Sequence, residues 1–246
     1  MARKLRVNEA GIYHIVNRGV NKSEVFIEKE DYHKFLELLL KITYDYNVTI
    51  HTFTILPTHY HCLIQTHKNN LSEAMRLLNS AYAAWYNFKS GRVGHLWKGR
   101  FDSYMLFDEE HFWNVVKYIQ RNALALGLVN DIKEWEYQSL ALRLRNTKFN
   151  EIIRDSKVLS KPLDEYIKWL NKPLDKHIID EIYKEPKIVM VDGELKVIRK
   201  KIADFFNEFE DKKEAIKAAK ESGYKYSEMA RFLGVSNAYV SKLAKS

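Results

Sequence analysis

Two short stretches of the chain hold side chains whose types and spacing could do chemistry. The first is PTHYHCLIQT, Pro57 to Thr66, with histidines at positions 59 and 61. On a β-strand successive side chains point to opposite faces, so His59 and His61 share one face with Leu63 and Gln65, while Tyr60, Cys62 and Ile64 share the other. Neutral imidazole is a ligand for transition metals, and a pair at i and i+2 can chelate one ion. The same alternation turns Tyr60 away from that ion. A pair of structural histidines has the same spacing, so the metal reading needs support from elsewhere in the chain. The second stretch is KYIQRN, Lys117 to Asn122. Tyr118 and Asn122 stand four apart and share one face of a helix. The Asn122 amide could add a hard oxygen to two imidazoles, and the Tyr118 hydroxyl could act beside the ion as a nucleophile. Packing is the plainer role for Tyr118, one of 15 tyrosines.

These residues need elements to hold them. Ile12 to Val16 reads as a strand ending at Asn17-Arg18-Gly19. Glu30 to Tyr46 keeps the i, i+3, i+4, i+7 rhythm of an amphipathic helix. TIHTFT (Thr49–Thr54) and HCLIQ (His61–Gln65) flank Leu56-Pro57-Thr58 and predict a hairpin. A second helix is predicted over Leu71 to Phe88, with Leu71, Ala74, Met75, Leu78, Tyr82, Trp85 and Phe88 on its apolar stripe. Asp102 to Leu106 follows as a short strand. Asp108 then reads as the N-cap of a third helix, with Glu109 and Glu110 where the helix dipole favours them. Strand, helix, hairpin, helix, strand is an α+β order. It suits a ferredoxin-like antiparallel sheet with helices packed on one face.

The loop GRVGHLWKGRF holds Arg92, His95, Trp97, Lys98 and Arg100 and no acid. Cations interleaved with aromatics suit single-stranded DNA, with phosphates on the cations and bases on the rings. A place in the core is the alternative for Trp97. Arg18 is a further candidate for DNA contact. The basic balance, 40 Lys+Arg against 32 Asp+Glu, agrees with an anionic partner.

After about Arg145 charges thicken and long apolar stretches stop. Three domains are expected: 1–145, a helical connector over 146–200 with a turn at Asp192-Gly193, and 201–246. In the last, Ala230, Gly234 and Val240 have the spacing of a DNA-binding helix-turn-helix. Ser236 would cap its second helix, which would present Asn237, Ala238, Ser241 and Lys242 to DNA. One cysteine, Cys62, excludes an intrachain disulfide. The N-terminal residues lack the apolar run of a signal peptide, and no stretch is long and apolar enough to span a bilayer. A cytoplasmic protein without membrane association is expected.

Four stretches taken in order, IYHIVNRG, FTILPTHYHCLIQ, GHLWKGRF and YIQRNALALGLV, resemble the single-tyrosine HUH transposases, and among them the REP-associated tyrosine transposase branch. The resemblance spans roughly Gly11 to Val129. It implies a ferredoxin-like HUH nuclease domain, a metal pair at His59 and His61, a nucleophile at Tyr118 and a further metal ligand at Asn122. The family usually has Asn where Thr58 stands, an aliphatic residue in place of Tyr60, and His and Asn-Pro where Gln120 and Asn122-Ala123 stand. The implied activity is metal-dependent cleavage and transfer of single-stranded DNA through a 5'-phosphotyrosine, with Mg²⁺ or Mn²⁺ as cofactor. The implied partners are single-stranded and hairpin DNA, with duplex DNA at the tail, for a monomer or a homodimer. A sequence-specific regulator with an inert HUH-like domain is the alternative from another class.

Overall fold

The computed structural model describes residues 9–106, 108–175, 178–179, 182–183, 187–191, 194–198, 202–222 and 224–245. The expected Asp192-Gly193 turn lies outside them. Two compact units divide at Glu185/Pro186.

The first unit opens with strand β1, Gly11–Arg18, followed by helix α1, Lys29–Asp45, then β2, Val48–Leu56, and β3, His59–Thr66. Helix α2, Leu71–Ser90, strand β4, Asp102–Met105, and helix α3, Glu109–Ala125, complete the order. The four strands form one antiparallel sheet in the order β2-β3-β1-β4, with β3 and β1 central. This is the ferredoxin-like α+β arrangement. Register sets the neighbours that matter: Arg18 lies opposite His59, and Val16 lies between His61 and Asp102.

Helices cover both faces of the sheet rather than one. Phe35 of α1 packs on Tyr60, with ring centroids 4.7 Å apart, and also meets Tyr82 of α2. That is the face of Tyr60, Cys62 and Ile64. On the other face, Leu63 joins Phe112, Val115, Val116 and Ile119 of α3 in one buried cluster. Eight of the nine residues of β2 are buried, as a strand covered on both sides requires. The α2 stripe departs from its expected course at the C-terminal end. Tyr86 is buried and Phe88 is 90% exposed, because the core-facing positions continue from Leu78 through Tyr82 in steps of four.

The residues after Arg145 are not a mere connector. Beyond helix α4, Ser139–Leu144, two 3-10 helices at Lys148–Ile153 and Lys157–Ser160 and helix α5, Leu163–Asn171, still belong to the first unit. Val158, Tyr166, Leu170 and Ile182 share the core of α3. The change in composition at Arg145 therefore falls inside a compact unit, forty residues short of its boundary.

The second unit begins with an antiparallel pair, β5 (Lys187–Val191) and β6 (Glu194–Ile198), where helix was expected. Four helices follow: α6 (Ile202–Glu208), α7 (Lys212–Glu221), α8 (Tyr226–Leu233) and α9 (Asn237–Lys245). They close on Phe205, Ile216, Ala219, Met229, Ala230 and Val240. No helix among the described residues is long and apolar enough to cross a membrane.

Candidate active site

The alternation along β3 delivers the two histidines to the face covered by α3. His61 is buried there, and His59, at the first position of the strand, is half-buried. Their rings meet edge to face with centroids 5.0 Å apart. Tyr60 points the other way and is fully buried, its hydroxyl donating to Asn79 Oδ1 at 3.0 Å.

Helix α3 brings the second pair to the first. The Asp108 carboxylate accepts from the His111 backbone N–H at 2.7 Å and starts the helix. About three turns in, the buried Gln120 amide nitrogen donates to Thr52 Oγ1 at 2.6 Å and Ser139 Oγ at 2.7 Å, and its oxygen accepts from the Leu140 N–H. These bonds pin α3 over β2 and leave the face of Tyr118 and Asn122 turned to His61. The Tyr118 ring stands edge-on to His61 with centroids 5.5 Å apart. Asn122 Nδ2 lies 3.4 Å from His61 Nε2.

His14 and Tyr183 complete the cluster, and neither was anticipated. His14 sits on β1, and its Nε2 is 3.0 Å from His61 Nδ1. The Tyr183 hydroxyl is hydrogen-bonded to that of Tyr118, and its ring leans on His14 and Tyr104. The IYHIV alternation carried a signal for His14, a histidine inside an apolar strand. Nothing near Tyr183 in sequence marked it.

The site opens as a cleft of about 370 Å³. Arg18, Lys22, Thr58, Asp102 and Tyr104 border it together with His59, His61, Tyr118 and Tyr183. Register places Arg18 there, and Gly19 keeps it there. A Cβ on Gly19 would stand 2.3 Å from the Ser23 carbonyl oxygen, so only glycine lets the chain fold back after β1. Burial holds the His59 imidazole down at about 4, helped by the Arg18 charge. Burial, then the neighbouring His14 and His59, holds His61 well below the ordinary imidazole range. Burial, then His111, holds His14 at about 3. Burial raises the Tyr183 hydroxyl, as does its bond to Tyr118.

A divalent ion fits this donor set. The imidazoles are neutral at physiological pH and so offer lone pairs. The His59 ring is fixed by a 2.9 Å contact between Nδ1 and Thr58 Oγ1, which leaves its Nε2 uncommitted by that bond. The Asn122 amide reaches the His61 Nε2 edge, and an amide carries an acceptor oxygen beside its nitrogen. Among the described residues no three His, Cys, Asp or Glu side chains form a complete metal-binding group. Oxygen donors would come from Asn122, phosphate and water.

The basic loop is partly as expected. His95, Lys98 and Arg100 are exposed and Arg92 half-buried. His95, Lys98 and Arg100 border a second groove, of about 810 Å³, against Arg76 and Ser80 of α2, while Arg92 donates to the His95 carbonyl at 3.2 Å, and Asn17 lines both the groove and the cleft. Trp97 takes largely the alternative place, in the core. It is 8% exposed, packs on Phe26, Tyr60 and Tyr82, and donates its indole N–H to the Asn79 carbonyl at 2.9 Å. Most of its surface is spent on the core, and what remains lines the same groove. In the second unit, Ala230 and Val240 are buried, and Gly234 ends α8 with φ of 68°. Ser236 Oγ accepts from the Tyr239 N–H at 3.2 Å. Asn237, Ala238 and Lys242 are exposed and Ser241 half-buried.

No curated protein matches the chain. The solved structure of a REP-associated tyrosine transposase bound to a REP hairpin is similar at 18% identity, over 56% of this chain and 82% of that one, with a TM-score of 0.49. The family profile of IS200-like transposases matches residues 8–122. That span runs from β1 to Asn122 and takes in His14, His59, His61 and Tyr118 as well as the basic loop, so over these residues the chain is similar to the IS200-like transposases.

Proposed function

We propose that the protein cuts and rejoins single-stranded DNA through a covalent bond between Tyr118 and a 5'-phosphate. A divalent ion, Mg²⁺ or Mn²⁺, would be held by His59, His61 and the Asn122 amide. The observation that carries this reading is the convergence of β3 and α3: two neutral imidazoles and a tyrosine hydroxyl meet at one cleft, with a buried amide against the edge of His61. When bound, the ion neutralises charge on the scissile phosphate and orients it.

The Tyr118 oxygen attacks phosphorus, the bond from phosphorus to the 3'-oxygen breaks, and the leaving strand takes a proton as a 3'-hydroxyl. A tyrosine–phosphate ester replaces the lost phosphodiester. Attack by another 3'-hydroxyl reverses the step and releases Tyr118, so rejoining needs no nucleotide cofactor. Arg18 and Lys22 at the mouth of the cleft offer charge to phosphates on either side of the cut. His95, Lys98 and Arg100 carry the strand onward along the second groove, which adjoins the cleft at Asn17, and Arg92 adds its charge from the same loop. The substrate is single-stranded DNA next to a hairpin, in keeping with the REP-associated branch that the motifs resemble. The α8–α9 pair serves as a helix-turn-helix that adds affinity for paired DNA through Asn237, Ala238, Ser241 and Lys242, with Ser236 as the cap.

Incubating the protein with Mn²⁺ and single-stranded hairpin oligonucleotides tests this directly. Cleavage with formation of a denaturation-resistant protein–DNA adduct is expected, and EDTA should abolish both. Full activity in EDTA would remove the metal from the account.

A further inference from the structure

We propose that His14 is a positioning residue for His61. It accepts the Nδ1 proton of His61 and thereby leaves the Nε2 lone pair facing Asn122 and the cleft. This rests on the proposed function only for the use to which that lone pair is put.

His14 is fully buried on β1, opposite Leu63 on one side and Tyr104 on the other. Its Nε2 lies 3.0 Å from His61 Nδ1. The ring centroids are 5.2 Å apart and the planes differ by 27°. A centroid separation that large beside so short a nitrogen–nitrogen distance means that the rings meet edge to edge, as a hydrogen bond requires, not face over face. Between two neutral imidazoles one nitrogen must carry the proton and the other must accept it.

The far edge of His61 decides which. There Asn122 Nδ2, a donor, approaches Nε2 at 3.4 Å. A donor beside Nε2 calls for a lone pair on it, and a neutral imidazole with a free Nε2 carries its proton on Nδ1. Both contacts of His61 are then satisfied together. His14 must accept at Nε2 and hold its own proton on Nδ1, an atom with no hydrogen-bond partner among the described residues. A buried donor left unpaired is rare and unfavourable. Its presence here is explained if the other nitrogen of the same ring serves His61. A ligating histidine usually has its second nitrogen tied to an acceptor that fixes tautomer and orientation. Here the acceptor is a second imidazole from the neighbouring strand.

The test uses the full chain and Mn²⁺ alone, with the free ion followed by its electron paramagnetic resonance signal. His14→Phe fills the space and removes the acceptor, and it should weaken Mn²⁺ binding by about 10–100-fold. His14→Gln, whose side-chain oxygen still accepts, should stay close to the parent. Mn²⁺ affinity unchanged in His14→Phe would overturn the proposal. A second measurement stands even where that variant does not fold: imidazole ¹⁵N–¹H NMR of the metal-free parent should show His61 protonated on Nδ1. Protonation on Nε2 would equally overturn it. A parent that binds no Mn²⁺ would instead defeat the metal reading, while the tautomer still decides the role of His14.

Discussion

At the scale of single residues, the cleft is made of histidines that burial keeps uncharged. His14, in the cluster behind the cleft, is held at about 3, and His51 on β2, outside the cleft and edge-on to Phe112 of α3, is held at about 4, both chiefly by burial. Their folded values lie below the unfolded value near 6.5, so the unfolded chain binds the extra protons. The stability they contribute is complete above about pH 6.5 and is lost as pH falls through 6 and 5 towards those folded values. Each should cost the metal-free protein about 1 kcal/mol between pH 7.5 and pH 5.5. Urea unfolding at the two pH values measures this. Equal stability at both would mean that these rings are not held neutral in the fold. The four residues that could do chemistry were legible in sequence because their relations are local, a step of two on a strand and a step of four on a helix. His14 and Tyr183 were not, because they meet His61 and Tyr118 across 47 and 65 residues of chain. Only the pairing of β1 with β3 and the return of the chain after α5 make those contacts.

At the scale of elements, the site depends on where α3 sits on the sheet. Gln120 fixes that position from the face opposite the solvent, two residues from both Tyr118 and Asn122. Gln120→Leu would strip partners from the buried Thr52, Ser139 and Leu140 N–H groups while keeping the bulk. Unfolding by urea should show a loss of about 2–4 kcal/mol. A loss below about 1 kcal/mol would mean that packing alone holds α3. Sequence periodicity gave the order of strands and helices and the buried stripe of α3. It did not give the face each helix would take, since a strand covered on both sides reads as apolar throughout, as β2 does. Trp97 shows the same limit. A tryptophan among cations has the composition of a stacking platform, but Asn79 on α2 draws its indole into the core.

At the scale of the whole molecule, the proposed chemistry and the proposed added DNA affinity fall in separate compact units. Gly234 holds a left-handed conformation with open space where a Cβ would stand, so the cost of Gly234→Val is backbone strain alone, about 1–2 kcal/mol. That variant, and a chain cut before Ile202, should bind hairpin DNA more weakly and with a shallower dependence on salt. Both should still cleave a saturating single-stranded oligonucleotide. Unchanged affinity after the truncation would assign the last helices to assembly or stability instead. The boundary between the units was not legible in composition. The charged residues after Arg145 hide Val158, Tyr166 and Leu170, which are spaced too widely to read as a core until α3 covers them.

The central claim is that Tyr118 carries the covalent bond to DNA, and the most direct measurement is to locate that bond. The adduct formed with a single-stranded hairpin oligonucleotide and Mn²⁺ is digested with protease and nuclease, and the modified peptide is sequenced by mass spectrometry. The account predicts a phosphotyrosine ester at Tyr118, absent from Tyr118→Phe although that variant still binds the oligonucleotide. An ester at Tyr183 or Tyr104, the other tyrosines bordering the cleft, or at Tyr60 on the far face of β3, would contradict it.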